Sequence, residues 1–122
     1  MCVFCNIEPE RVETENELAS CVYDAYPVTP LHALIIPKRH VETYFDLTDE
    51  EREACHRLIV AMKNTIQATD ESVDGFNIGM NSGVSAGQTV PHCHIHLIPR
   101  RSGDMADPRG GVRGVIPCQQ KY

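Results

Sequence analysis

Apolar and polar residues alternate along two parts of the chain, residues 17–23 and 75–81. Successive side chains of a strand point to opposite faces of its sheet, so the alternation predicts two strands. A third segment, Ala33-Leu34-Ile35-Ile36, is apolar throughout and is bounded by Pro37, which is typical of a short buried strand. The two prolines within residues 27–30 lack an amide donor and therefore mark a loop.

A single long helix is predicted over about residues 49–68. Apolar residues recur there at the spacing of one helical face, at Cys55, Leu58, Ile59, Met62 and Ile66. The sequence Thr48-Asp49-Glu50-Glu51 is a capping box, because the side chains of Thr48 and Glu51 can each accept from the other's backbone amide. One helix and several strands predict an α+β fold, in which the helix packs across an antiparallel sheet of about five strands.

Three of the six histidines lie at alternate positions in the segment 88–100. In an extended strand His92, His94 and His96 share one face, and the apolar residues between and after them, Cys93, Ile95 and Leu97, form the other. Imidazole near neutral pH serves as a nucleophile, a proton carrier or a metal ligand. A row of imidazoles in a cleft therefore indicates a reactive site, and a metal-chelating strand or a cluster of surface histidines is the alternative.

The segment 81–88, directly before the histidines, contains Gly83 and Gly87. Small residues in a loop allow backbone N–H groups to approach a phosphate closely. A loop of this kind is more often a plain turn when it stands alone. Its position before the histidines favours a phosphate-binding loop.

Length and charge limit the classes of protein that remain. The 122 residues contain no internal repeat or linker, so residues 1–122 are predicted to form one domain. A formal net charge of −6 argues against nucleic-acid binding, which needs a basic surface, although it permits a small anionic ligand. The late arginines are compatible with a local positive field near the histidines; they are Arg100, Arg101, Arg109 and Arg113.

The N-terminal residues show neither a signal peptide nor a membrane span. Six scattered cysteines then indicate reduced thiols and a cytoplasmic protein. The Cys2-x-x-Cys5 spacing suits one half of a tetrahedral zinc site, for which His40 and His92 are candidate partners. Two frayed thiols near the chain end are the alternative.

Residues 81–100 resemble the signature of the histidine triad family of nucleotide hydrolases and transferases. The shared pattern is Asn, a short glycine loop, Gly-Gln-Thr and His-x-His-x-His, and upstream it includes Pro30, His32, Ile36, Pro37 and His40. The resemblance implies a second short helix and a homodimer whose sheets join. It also implies a small-molecule substrate, an adenosine nucleotide derivative that is attacked at its α-phosphate.

The resemblance assigns a role to each candidate residue. His94 is the nucleophile, His96 assists the leaving group, and a main-chain carbonyl near His92 orients the nucleophile. Nucleotide binding falls to Asp24 at the ribose, to His32 as a supporting residue, and to Asn81, Gly87, Gln88 and Thr89. Zinc, in a structural role that the chemistry does not require, is assigned to Cys2, Cys5, His40 and His92.

The substrate and some roles stay open at this level. Pro99-Arg100 and Gly103-Asp104 resemble the dinucleoside polyphosphate hydrolases, whereas Asn81 resembles the adenosine phosphoramidases. A non-catalytic nucleotide-binding protein and a zinc-scaffolded adaptor are the rivals from other classes. Asp24 has a simpler interpretation as a turn carboxylate, and Leu31 stands where the family usually has glycine.

Overall fold

A computed structural model describes residues 2–122. Its strands are β1 (Val12–Glu15), β2 (Ala19–Tyr23), β3 (Ala33–Pro37), β4 (Val73–Gly79) and β5 (Ile95–Arg101), and its helix is α1 (Asp49–Thr69). All neighbouring strands are antiparallel, in the order β1-β2-β3-β5-β4. The predicted α+β fold is confirmed. The strand β1 corresponds to none of the segments that alternation singled out.

The helix covers one face of the sheet. Alternate residues of the central strands are buried against its apolar stripe, at Ala19, Cys21, Ala33, Ile35, Ile95 and Leu97. The side chains between them point to the other face, where Val22, Leu34 and Ile36 pack against Phe4 and Ile7 from the N-terminus. His96 pairs with Leu34 across the sheet and therefore lies on the face away from the helix.

The capping box at the start of α1 forms as predicted. The hydroxyl of Thr48 accepts from the Glu51 amide at 3.1 Å, and the carboxylate of Glu51 accepts from the Thr48 amide at 2.9 Å. The shorter helix implied by the resemblance is represented within residues 2–122 by 3-10 turns, such as Tyr44–Asp46. Three-residue turns of this kind form where the chain lacks a continuous apolar stripe to bury.

Glu51 also holds the chain before α1 in place. Its side chain is buried, and its oxygens accept from the Arg39 guanidinium at 2.7 and 3.0 Å. The same guanidinium donates to the carbonyl of Asp46 at 3.1 Å. The hydrogen bonds from Arg39 are the main cause that lowers the pKa of Glu51 to about 2. The ion pair thereby links the segment after β3, which carries His40, to the helix.

The remaining sequence expectations meet the structure to different degrees. All six cysteines are free, in agreement with reduced thiols, and the cytoplasmic location stays a prediction. Within residues 2–122, no helix has both the length and the apolar character needed to cross a bilayer.

The structure describes one copy of the chain, so the homodimer stays a prediction. The sheet has β1 and β4 at its edges, the positions through which two sheets can join.

Glu51→Gln should lower the free energy of unfolding by about 1–3 kcal/mol, because a charge-assisted pair with Arg39 is lost. The pKa of Glu51 is lowered from 4.5 to about 2, so this stabilisation is present above pH 4.5 and disappears as the pH falls toward 2. Denaturant unfolding at pH 7 and pH 3 measures both effects. The control is Glu50→Gln, on the exposed side of the same turn. A loss of stability that is equal at the two pH values would contradict the ion-pair account.

Candidate active site and metal centre

The three alternating histidines do not form a uniform row. Only His96 lies within β5, and His92 and His94 lie in the irregular backbone just before it. The expectation of three imidazoles facing one cleft is corrected in one respect, because His92 is fully buried and its Nδ1 is turned toward the cysteine pair. The apolar residues Cys93, Ile95 and Leu97 are buried as the alternation predicts.

His94 is held by a single backbone contact. Its Nδ1–H donates to the carbonyl oxygen of His92 at 2.8 Å. Because a neutral imidazole carries one proton, this bond leaves the lone pair on Nε2. The ring is only partly buried, and its centroid lies 4.8 Å from the ring of Phe4 and 5.3 Å from that of His96. His94 therefore offers a nucleophilic nitrogen beside a second imidazole.

A backbone amide determines the tautomers of His32 and His96. The N–H of Val28 donates to Nδ1 of His32 at 3.1 Å, so the proton of neutral His32 is on Nε2. That Nε2–H donates to Nδ1 of His96 at 2.9 Å, and the proton of His96 is consequently on its own Nε2. The site thus places a lone pair on His94 beside an N–H donor on His96.

Burial keeps the two supporting rings neutral. Loss of hydration lowers the pKa of His32, which the nearby Asp24 carboxylate partly offsets. Loss of hydration also lowers the pKa of His96, and the neighbouring His94 and His32 lower it further. Both rings are therefore neutral at pH 7, each with a single N–H, as the chain of hydrogen bonds from Val28 requires.

Four side chains converge into a candidate metal centre. The Nδ1 atoms of His40 and His92 are 3.1 Å apart. The Sγ of Cys5 lies 3.2 Å from Nδ1 of His40 and 3.5 Å from Nδ1 of His92. The Sγ of Cys2 lies 3.4 Å from Nδ1 of His92. The Nε2–H of His92 donates to the carbonyl of Pro37 at 2.8 Å, which leaves its Nδ1 free to coordinate. Two thiolates and two imidazoles around one point are a donor set that suits a tetrahedral zinc ion.

A second cluster consists of residues that often bind metals, but its hydrogen bonds do not suit a metal ion. Asp24, His32 and His96 also converge within 4.8 Å. The Nε2 of His32, however, carries the proton that it donates to His96. A protonated nitrogen has no lone pair for an ion, so this cluster works as a hydrogen-bond chain.

Asp24 and Leu31 shape the loop that carries His32. One oxygen of Asp24 accepts from the Tyr26 amide at 2.8 Å, which is the turn role, and the other lies 3.5 Å from Nε2 of His32. Its contact with a ribose stays a prediction. Leu31 adopts a positive φ of 72°, which explains why glycine is usual there. The conformation costs about 1–2 kcal/mol, offset by packing of the side chain against the helix-side core.

The glycine loop is braced from inside by Gln88. Its side-chain oxygen accepts from the Gly83 amide at 2.8 Å, and its nitrogen donates to the carbonyls of Glu42 and Val90 at 2.7 and 3.1 Å. Gly83 and Gly87 have φ values of 96° and 93°, which other residues rarely adopt. Gln88 thus shapes the loop, whose contact with phosphate stays a prediction. The predicted binding residues Asn81 and Thr89 are exposed on either side of this loop.

Sequence reasoning missed Phe4. This residue contacts His94 because it lies between the two cysteines of the candidate metal centre, and that position was the available signal.

Asp residues pair with three of the four late arginines, which reduces the positive charge that these side chains can offer the histidines. These pairs are Arg100 with Asp104 at 2.8 Å, Arg101 with Asp70 at 3.0 Å and Arg109 with Asp107 at 3.1 Å.

The fold and site define a class of protein in which an antiparallel sheet, covered by a helix on one face, carries neighbouring histidines of opposite tautomer on the other. A model of the HIT domain matches residues 7–103. An uncharacterised HIT-like protein from Methanocaldococcus jannaschii is 38% identical over 109 residues, 85% of this chain and 82% of that protein. The chain belongs to the HIT domain family, which is the histidine triad family that the sequence resembles.

Other relatives have named activities or a bound metal. A bis(5'-nucleosyl)-tetraphosphatase from Schizosaccharomyces pombe is 36% identical over 97 residues, 80% of this chain and 53% of that protein. An adenylylsulfatase from Arabidopsis thaliana is 35% identical over 108 residues, 84% of this chain and 54% of that protein. The chain therefore spans about half the length of each. A Zn-bound histidine triad family protein from Mycobacterium smegmatis is 34% identical, with a TM-score of 0.78 over 87% of this chain and 79% of that chain.

Histidine tautomers provide a direct test of the site geometry. Long-range proton–nitrogen NMR spectra at pH 7 should show Nδ1–H for His94, and Nε2–H for His32 and His96. Because the pKa values of His32 and His96 are lowered, both should stay neutral as the pH falls to 6.5. His56 is exposed on α1 and serves as the reference signal in the same spectrum. An Nδ1–H tautomer for His96 would contradict the hydrogen-bond chain.

Proposed function

We propose that this protein is a nucleotide hydrolase or nucleotidyl transferase that acts at the α-phosphate of adenosine nucleotide derivatives through a covalent intermediate on His94. The observation that carries the proposal is the Nδ1–H bond of His94 to the His92 carbonyl, which leaves Nε2 as the attacking atom. The two relatives with named activities, a tetraphosphatase and an adenylylsulfatase, support a reaction at this kind of phosphorus.

In the first step, the lone pair on Nε2 of His94 attacks phosphorus, and the bond from phosphorus to the leaving group breaks. His94 then carries a positive charge, and its Nδ1–H bond to the His92 carbonyl becomes charge-assisted and stronger. This contact therefore stabilises the intermediate more than the starting state. Such differential stabilisation is the requirement for catalysis.

His96 assists the leaving group in this mechanism. Its Nε2–H, maintained by the chain from Val28 through His32, donates a hydrogen bond to the departing atom and stabilises the charge that develops there. Any proton that the leaving group takes up comes from solvent. In the second step, water attacks phosphorus and the bond from phosphorus to Nε2 of His94 breaks. The proton of the attacking water is released to solvent, and the nucleoside monophosphate leaves. Division of one displacement into two steps lowers each barrier.

The nucleotide would bind on both sides of His94. Phe4 provides an aromatic surface next to the nucleophile, and Asp24 at the ribose with His32 behind it completes that side. Asn81, Gly87, Gln88 and Thr89 would meet the phosphates from the glycine loop, mainly through backbone N–H groups. Adenosine as the nucleoside rests on the family resemblance.

Two substrate classes fit this mechanism. The tetraphosphatase relative favours a dinucleoside polyphosphate, and Asn81 favours an adenosine phosphoramidate. Because both carry the same adenylyl group, attack by His94 would give the same intermediate from either one. Product analysis with the two substrates side by side distinguishes them.

We also propose that Cys2, Cys5, His40 and His92 hold zinc, which would act as a structural cross-link. The sulfur and nitrogen donors converge as such an ion requires, and the relative from Mycobacterium smegmatis is Zn-bound. Because Phe4 lies between the two cysteines, the cross-link would hold its ring against His94. The metal is thus proposed to favour substrate binding by holding Phe4 in place, without taking part in the reaction.

His94→Asn should reduce kcat/KM by about a thousandfold or more, because the asparagine side chain has no nucleophilic nitrogen. Nucleotide binding should persist, and the wild-type protein alone should show a nucleotidyl adduct by mass spectrometry after rapid quenching. His56→Asn, on the exposed surface of α1, is the control and should leave turnover unchanged. Full turnover by His94→Asn would refute the covalent mechanism and favour a non-catalytic binding protein.

Cys5→Ser should reduce bound zinc from about one ion per chain toward none, since a thiolate ligand is lost. Release of Phe4 should raise KM by about two- to tenfold, the worth of one aromatic contact, and change kcat little. Elemental analysis and steady-state kinetics measure both effects. The exposed Cys118 provides the control Cys118→Ser. Zinc loss without any change in KM would favour the adaptor role, and retained zinc would exclude the proposed ligand set.

A further inference from the structure

The hydrogen-bond chain from Val28 through His32 to His96 begins in an exposed loop. Residues 24–32, termed the β2–β3 loop, connect β2 to β3. Val28 donates its N–H to Nδ1 of the buried His32 from this loop, yet Val28 itself is 71% exposed. Packing therefore does little to keep the Val28 amide directed at His32, and other contacts must hold this part of the loop.

Arg101, the last residue of β5, donates to the two residues that follow Val28. Its Nη1 donates to the hydroxyl oxygen of Thr29 at 3.1 Å, and its Nη2 donates to the carbonyl oxygen of Pro30 at 3.0 Å. The carbonyl of Thr29 in turn accepts from the His32 amide at 3.2 Å. The guanidinium therefore holds the segment that separates the donor Val28 from the acceptor His32.

The guanidinium of Arg101 is itself fixed by α1. Its Nε and Nη2 donate to one carboxylate oxygen of Asp70, at 3.1 and 3.0 Å, and Asp70 directly follows the helix. The Arg101 side chain is 16% exposed, and each of its three guanidinium nitrogens has an acceptor. A planar group with this many partners has little freedom to turn. Arg101 thereby ties the β2–β3 loop to the end of a helix.

The backbone within the β2–β3 loop needs such a restraint at Leu31. This residue lies between Pro30 and His32 and adopts a φ of 72°, which is unfavourable for a residue with a side chain. Rotation about that bond changes the position of Val28 relative to His32. The hydrogen bond from Arg101 to the Pro30 carbonyl, directly before Leu31, opposes this rotation.

The Val28 amide decides the direction of the hydrogen bond between His32 and His96. While it donates to Nδ1 of His32, the proton of that ring is on Nε2 and is donated to His96. Without it, the reverse arrangement is also available, in which His96 donates from Nδ1 and its Nε2 has no proton. The Asp24 carboxylate lies 3.5 Å from Nε2 of His32 and favours a proton there, so the reversal is partial.

We propose that Arg101 is a positioning residue for His96. It holds the β2–β3 loop so that the Val28 amide fixes the direction of the His32–His96 bond, and His96 then presents an N–H to the leaving group. Arg101 acts at a distance, because it alternates onto the helix side of β5 with Leu97, whereas His96 lies on the other face. The inference rests on the proposed function, since the N–H of His96 is of use only to a leaving group.

Two variants test the proposal through the tautomer of His96, which long-range proton–nitrogen NMR spectra at pH 7 report without turnover. Arg101→Met keeps much of the side-chain length and removes every donor. Thr29→Val removes one acceptor, keeps the shape of the residue and leaves the ion pair with Asp70 in place. Arg101→Met should raise the Nδ1–H share of His96 about three- to tenfold, the effect of one lost hydrogen bond. Thr29→Val should raise it in the same direction by a smaller factor.

Arg100→Met is the matched control. Arg100 is the neighbouring residue of β5 and also pairs with an aspartate, Asp104 at 2.8 Å, but it donates to Asn77 instead of the β2–β3 loop. This variant should leave the tautomers of His32 and His96 as they are in the wild type. Thermal unfolding measures the stability of each variant separately.

A purely structural Arg101 would lower the unfolding temperature when replaced and leave the His96 tautomer unchanged, and that result overturns the proposal. If Arg101→Met does not fold, Thr29→Val decides by the same criterion. Turnover of adenosine 5'-phosphoramidate should fall in proportion to the Nε2–H share of His96 that is lost. Absence of turnover in the wild type, with the tautomer change in Arg101→Met intact, counts against the proposed reaction and leaves the positioning of His96 supported.

Discussion

The site depends on the peptide unit and ring of His92, which join three parts of the chain. The ring Nε2–H donates to the Pro37 carbonyl at the end of β3, and Nδ1 faces the cysteines of the N-terminus. The carbonyl of the same residue accepts from Nδ1 of His94. One fully buried residue thus sets both the direction of a donor nitrogen in the candidate metal centre and the tautomer of His94. A shift of His92 would disturb both sites, because each contact uses a different atom of one rigid unit.

Neighbouring neutral imidazoles present a lone pair and an N–H donor side by side only if their tautomers differ. Backbone groups impose that difference here, with a carbonyl acting on His94 and an amide acting through His32 on His96. Burial, which lowers the pKa of His32 and His96, maintains it at neutral pH. The Asp24 carboxylate opposes this effect at both rings.

Local pattern predicted those parts of the fold that local physics determines. The apolar stripe and capping box of α1, and the alternation in three strands, follow from nearest-neighbour periodicity. The strand β1 was missed because its four residues, Val12–Glu15, form an edge strand that buries no side chain completely. The candidate metal residues could be predicted from residue type. The role of Phe4, the turn of His92 and the arginine pairs depend on contacts between distant residues, which no local pattern contains.

The two ends of the chain complete the functional face of the sheet. The helix buries one face, and the other would expose Val22, Leu34 and Ile98 without cover. The N-terminal residues Phe4 and Ile7 pack on the side of β2 and β3, and Gly111, Val112 and Val115, near the C-terminus, border a groove over β4 and β5. The histidines lie between these two groups of terminal residues. Terminal segments tolerate sequence change more readily than a core does. Changes in either terminal segment would therefore alter the surroundings of the histidines while the hydrogen bonds that set their tautomers are preserved.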